Sequence, residues 1–110
     1  KRDDLYSVKR VVAPDKIELS NGLTVRLLGV KPNPRFLDEA VSFLQEKFQK
    51  RKVFLKYDTI KYDTDKNLLC YVYLDNKTFI NNHLVRTGYV DVDTEFDYSC
   101  KKKFLNSAPN

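Results

Sequence analysis

Arg26 stands inside the aliphatic run Leu23-Thr-Val-Arg-Leu-Leu-Gly-Val30, and a long cation in such a run needs a reason. One reason is local, an exposed edge position or a salt bridge to a neighbouring strand. The other is chemical: the planar guanidinium fork suits phosphate oxygens and could meet an anion in a cleft. Other chemistry-bearing residues say less. His83 is the only histidine, with no Ser, Cys or Asp in a triad-like placement, and reads as a surface residue. Asp91, Asp93, Glu95 and Asp97 alternate, but the run lacks the glycine and terminal glutamate of a Ca²⁺ loop, so no metal is expected. Cys70 and Cys100 match no metal-ligand spacing and read as reduced thiols, which suggests a cytoplasmic setting.

A chain of 110 residues has room for one domain with a modest core. An apolar fraction of 42%, with seven Tyr and seven Phe, argues for a folded domain. No apolar stretch approaches the roughly 20 residues of a membrane span. The chain opens on Lys-Arg-Asp-Asp and holds no Met, so it is expected to be a piece of a longer protein. Residues 1–56 carry thirteen basic and seven acidic side chains, and residues 57–110 carry seven and eight. The first part is therefore +6 and the second −1. The basic part could face a polyanion or form an ordinary solvated surface.

The elements follow from period and punctuation. Leu5 to Ala13 reads as a first strand, ended by the Ala13-Pro14-Asp15 turn, and Lys16 to Ser20 as a second. Asn21-Gly22 is a hairpin signal that turns the chain into a third strand, Leu23 to Val30. Two prolines in Lys31-Pro32-Asn33-Pro34 predict an irregular loop. Arg35 to Gln49 then shows a helical stripe of Leu37, Val41, Leu44 and Phe48. Val53 to Ile60 predicts a strand with Val53, Leu55 and Tyr57 on one face. Leu68 to Leu74 is apolar on both faces and should be central, with Tyr71 and Tyr73 as core residues or base-stacking rings. Asn81 to Thr87 predicts a short helix stopped by Gly88, and Tyr98 to Leu105 a last amphipathic segment. Five strands interrupted once by a helix suggest an α+β domain, a five-stranded OB-fold Greek-key barrel. Its long helix would lie between strands three and four, with a core over residues 5–92 and a C-terminal helix and tail over 93–110.

Four pieces taken together resemble the staphylococcal-nuclease-like (thermonuclease) family. They are Val-Arg-Leu-Leu-Gly-Val at 25–30, Glu39-Ala40, Tyr71-Val72-Tyr73-Leu74, and Ile80-Asn81 followed by Leu84-Val-Arg-Thr-Gly-Tyr89. The resemblance covers about Tyr6 to Val92 and implies calcium-dependent hydrolysis of DNA and RNA phosphodiesters. It places Asp15 at a metal carboxylate and Arg26 at a phosphate arginine. It also places Lys31 at the second metal carboxylate, Pro34 at the glutamate beside the attacking water, and Asn67 at the second arginine. Three of five catalytic positions are thus changed, and a cation sits where a ligand to Ca²⁺ belongs. The expectation is a catalytically inactive domain with Asp15 and Arg26 as remnants and no cofactor; only a surviving nuclease would use Ca²⁺. Such a domain could hold single-stranded nucleic acid through Arg26, Lys31, Arg35, Lys66 and Asn67, with Lys9, Arg10 and Lys16 near the barrel mouth. Alternatively it serves as a protein-interaction or scaffold domain, with Asp15 and Arg26 as a structural pair. Partner domains of the same parent chain are expected, and no membrane.

Overall fold

The computed structural model describes residues 5–95 and 98–109. Asp97, the last acid of the alternating run, lies outside them. Strands β1 (Tyr6–Ala13), β2 (Lys16–Leu19) and β3 (Thr24–Leu27) form an antiparallel meander. Gly22, at φ 89°, supplies the left-handed turn between β2 and β3. Irregular pairing between Val8 and Arg10, and again between Val11 and Ala13, lets β1 bend between two partners. Its first residues pair with β5 (Lys52–Lys56), which pairs in turn with β6 (Leu68–Leu74). A parallel β3–β6 ladder closes the barrel in the order β1-β2-β3-β6-β5. The result is an OB-fold-like α+β barrel with three α-helices among the described residues.

The predicted third strand breaks in two. Gly29 takes φ 85° and turns the chain after Leu28, so β3 ends at Leu27 and β4 (Val30–Pro32) starts a separate ladder with β7 (Val90–Val92). Lys31 and Pro32 are therefore in a strand, not in the irregular loop that the prolines predict. A two-stranded ladder tolerates Pro32 because an edge position needs no inward N–H. The helix expected from Arg35 starts later. Pro34–Phe36 forms a 3₁₀ turn, capped by the Asn33 side chain accepting from the Arg35 amide at 3.0 Å. The α-helix α1 spans Leu37–Phe48 and buries Ala40, Leu44 and Phe48. β5 stops at Lys56, short of the expected Ile60, and Tyr57 is 48% exposed while Val53 and Leu55 are buried.

The last elements belong to the core. Helix α2 (Ile80–Thr87) ends on Gly88 at φ 81°. The wholly buried Asn81 ties it to the barrel: its Nδ2 donates to the Leu28 and Cys70 carbonyls at 2.9 and 3.3 Å, and its Oδ1 accepts from the Val72 amide at 2.8 Å. Helix α3 (Lys101–Ser107) drives Phe104 into the interior beside Tyr98. The core thus runs past Val92, where the sequence pattern ended it. Among the described residues no helix is long and apolar enough to cross a membrane.

Candidate functional site

Arg26 projects from β3 into a nest of three buried carboxylates, each delivered by a different connection. In the β2–β3 register Lys16 lies opposite Arg26, and the Leu27 amide donates to the Asp15 carbonyl at 2.7 Å. This fixes the Asp15 side chain beside the guanidinium, and Nε donates to its Oδ2 at 3.2 Å. Asp63 organises the loop before β6. Its Oδ1 accepts from the amides of Asp65 and Asn67 at 2.9 and 2.8 Å. Its Oδ2 accepts from Asn67 Nδ2 at 3.0 Å and from Arg26 Nη1 at 2.9 Å. Asp93 follows β7, and its amide donates to the Gly29 carbonyl at 2.9 Å. Arg26 Nη2 reaches Asp93 Oδ2 at 3.3 Å.

The three acid side chains are 7%, 2% and 5% exposed, and that of Arg26 is 17% exposed. Attraction is strong at such depth, and an unpartnered member would be severely penalised. Burial alone would lower the Arg26 pKa, but the hydrogen bond to Asp63 and the charges of Asp15, Asp93 and Asp63 outweigh it and raise the value. Burial pushes Asp63 upward, yet its bonds from Asn67, Arg26 and the Asp65 amide hold it below the ordinary carboxylate range. For Asp15 desolvation wins over Arg26 and Lys16, and its pKa is raised. A proton entering the cluster therefore goes more readily to Asp15 than to Asp63.

A cleft of about 460 Å³ opens over Arg26 and is lined by Lys31, Val92, Asp93, Thr94 and Glu95. With Asp15 and Asp63 behind it, four carboxylates meet two cations among the described residues. A calcium ion needs six to eight oxygen donors. Here Asp15, Asp63 and Asp93 each turn an oxygen toward a guanidinium, and Lys31 brings an ammonium to the same space. The donor set suits Arg26, not Ca²⁺.

The expected site residues separate into groups. Asp15, Arg26 and Asn67 meet around Asp63 and Arg26, while Lys31 is exposed on the cleft wall. Arg35 is exposed on the 3₁₀ turn, its guanidinium 5.9 Å from the Phe36 ring centre, and does not line the cleft. Lys66 is exposed in the Asp63 loop with φ 67° and is also outside the lining. Lys9 and Arg10 lie along a second groove, against α1. Tyr71 is buried and donates to Asp58 at 2.5 Å, and Tyr73 stacks between Phe54 and Phe79 at 5.2 and 4.6 Å. Tyr71 is a core residue, and Tyr73 packs against the core while partly buried. His83 is half-buried, and burial, then Lys47 and Arg86, lower its pKa. Both cysteines are free, and burial raises the Cys70 pKa to about 12.

Asp63 and Asp93 are partners of Arg26 that the expected site residues do not include. The Asp63-x-Asp65-x-Asn67 spacing is the signal for the first: a carboxylate followed by short polar residues favours a turn that folds back on that carboxylate. Asp93 carries no such mark, because only the β4–β7 ladder brings it home.

A small closed barrel with one arginine aimed at a carboxylate-walled mouth defines a helix-clad OB-type domain with its candidate site at one end. The model of the staphylococcal nuclease homologue family matches residues 9–108, and the chain belongs to that family. A comparison with curated proteins found no match.

Proposed function

We propose that this SNase-like domain is catalytically inactive and serves a larger DNA- or RNA-acting protein as an accessory nucleic-acid-binding module. One observation carries the loss of catalysis: Arg26, the remnant phosphate arginine, is bonded to three buried acids. Catalysis would need that guanidinium to turn to a pentacovalent phosphorus and stabilise the charge building there. Turning would strand Asp15, Asp63 and Asp93 in a buried pocket. Lys31 and Pro34 at acid positions of the resemblance, and Asn67 at an arginine position, point the same way. Losing one such group typically lowers a rate by ~10²–10⁴, and losing several leaves no working unit.

The test is incubation of the domain with Ca²⁺, Mg²⁺ or Mn²⁺ and single-stranded DNA or RNA. No cleavage is expected. Cleavage that disappears in Arg26→Ala would overturn the reading. Binding is supported by the net charge of +5 and by the thirteen basic against seven acidic side chains of residues 1–56. A second reading, a protein-interaction domain that binds no nucleic acid, is favoured by the Asp15–Arg26 contact, which is the structural pair that reading expects. Fluorescence anisotropy with short oligonucleotides separates the two. Salt-sensitive binding supports the module, and no binding at low salt leaves the interaction domain.

A further inference from the structure

The cations best placed to hold a polyanion lie at the other end of the barrel from Arg26. Arg26 pairs with Leu69 near the start of β6, whereas Lys77 follows its end at Leu74. The six steps from Leu68 to Leu74 separate the two ends by about 20 Å. At the far end the turn leaving α1 meets the turn leaving β6. The Asp75 amide donates to the Lys52 carbonyl at 2.8 Å, and Val53 pairs with Leu74. Lys50, Arg51 and Lys52 are thereby gathered beside Lys77. β1 joins them because Ser7 pairs with Lys52, and the groove between β1 and α1 brings in Lys9, Arg10 and Lys50.

Two observations mark this surface. Arg10 pairs with Glu18 and Arg51 with Asp75, but among the described residues Lys9, Lys50, Lys52 and Lys77 make no ion pair, and all four are exposed. Lys50 and Lys77 also occupy left-handed backbone, at φ 57° and 72°. Glycine or asparagine would sit at these turns, as at Lys66 with φ 67°, with less strain.

We infer that this basic end, formed by Lys9, Lys50, Lys52 and Lys77, and not the Arg26 cleft, is where the domain grips the sugar–phosphate backbone of single-stranded nucleic acid. The inference rests on the nucleic-acid reading above and moves its contact surface. Exposed lysines are poor material for a protein interface, which is depleted in lysine. They suit a phosphate chain, whose binding is polar and driven by counterion release. The cleft, with four carboxylates against two cations, repels the same chain.

The experiment is a salt titration of anisotropy with a short fluorescein-labelled oligothymidylate. Wild type should lose affinity with a log–log slope of about −3, as four phosphate contacts require for a single strand. The variant Lys50→Asn/Lys52→Gln/Lys77→Asn keeps residues that accept the left-handed turns. It should retain the wild-type melting temperature, bind at least about tenfold more weakly, and show a slope near −1. Lys31→Gln/Arg35→Gln/Lys66→Asn should bind as wild type does. Binding lost in that second variant and kept in the first overturns the assignment while leaving the accessory-module reading intact. Wild type that fails to bind at low salt overturns both. Polyglutamate displacing the oligonucleotide at equal chain length would reassign the surface to acidic proteins.

Discussion

Among the described residues Arg26 holds three carboxylates at once, so its removal is a sharp probe. Arg26→Ala leaves Asp15, Asp63 and Asp93 buried without their shared cation. Breaking a buried pair from one side typically lowers stability by ~3–5 kcal/mol. A loss of that size in urea unfolding at pH 7 is the expected outcome, and a loss within 0.5 kcal/mol, roughly what an ordinary surface change gives, would disprove the latch. The variant's pH dependence is fixed in sign. Unpartnered buried carboxylates titrate above their unfolded value of about 3.9, so the native state binds more protons. Arg26→Ala should therefore gain more stability than wild type does as pH falls from 7 toward 5. Sequence alone singled out Arg26, because a cation within aliphatic residues is conspicuous. It offered no choice between a salt bridge and an anion site. That choice depended on Asp63, 37 residues away, and Asp93, 67 away, which no local period connects to β3.

The split of the predicted third strand is a matter of one glycine. A Cβ on Gly29 would meet Phe104 ring carbons at 2.5 and 2.6 Å and Tyr98 at 2.9 Å, and the backbone there has φ 85°. Strain and overpacking together should lower the stability of Gly29→Ala by about 2–4 kcal/mol. Thermal unfolding followed by circular dichroism reads this directly; an unchanged midpoint would mean that α3 does not press on the β3–β4 turn. The Leu-Leu-Gly-Val text gave no hint of that neighbour. Strand β6 was legible to the residue, since Leu68 to Leu74 is apolar on both faces and both edges are paired. β5 was overextended because Tyr57 fits the alternation, while the carboxylate of Asp58 accepts the Thr59 amide at 2.7 Å and turns the chain. Pro32 was misread for the opposite reason: its ring rules out an inner strand, yet an edge is all that β4 requires.

Across the whole barrel, acid should find a second latch. Asp58 accepts from Tyr71 of β6 at 2.5 Å and from the Ser99 amide, ahead of α3, at 2.7 Å. Burial pushes its pKa upward, but the hydrogen bonds from Tyr71, Ser99 and Thr59 prevail and hold it at about 2. A depressed carboxylate contributes stability that is complete above its unfolded value near 4 and is lost as pH falls toward 2. Asp63 acts with the same sign, and Asp15, with its raised pKa, opposes them. Asp58→Asn should therefore be less stable at neutral pH and show a shallower decline between pH 4 and 2. Tyrosine fluorescence during acid titration checks this, and parallel curves for wild type and variant would refute it. The sequence order of strands and helices was enough to reach the barrel. Its closure and its C-terminal seal were not visible, because both depend on residues far apart along the chain.

The parallel seam between β3 and β6 also sets an order of events during synthesis. Val25 cannot find Leu68 until more than forty further residues have left the ribosome, so the outer edge of the first hairpin stays bare meanwhile. A nascent chain stalled before that point would offer Val25 and Leu27 to any passing strand, and contacts this distant are slow to form. Newly made protein of this kind should depend on chaperones most during that interval, and far less once β6 has emerged.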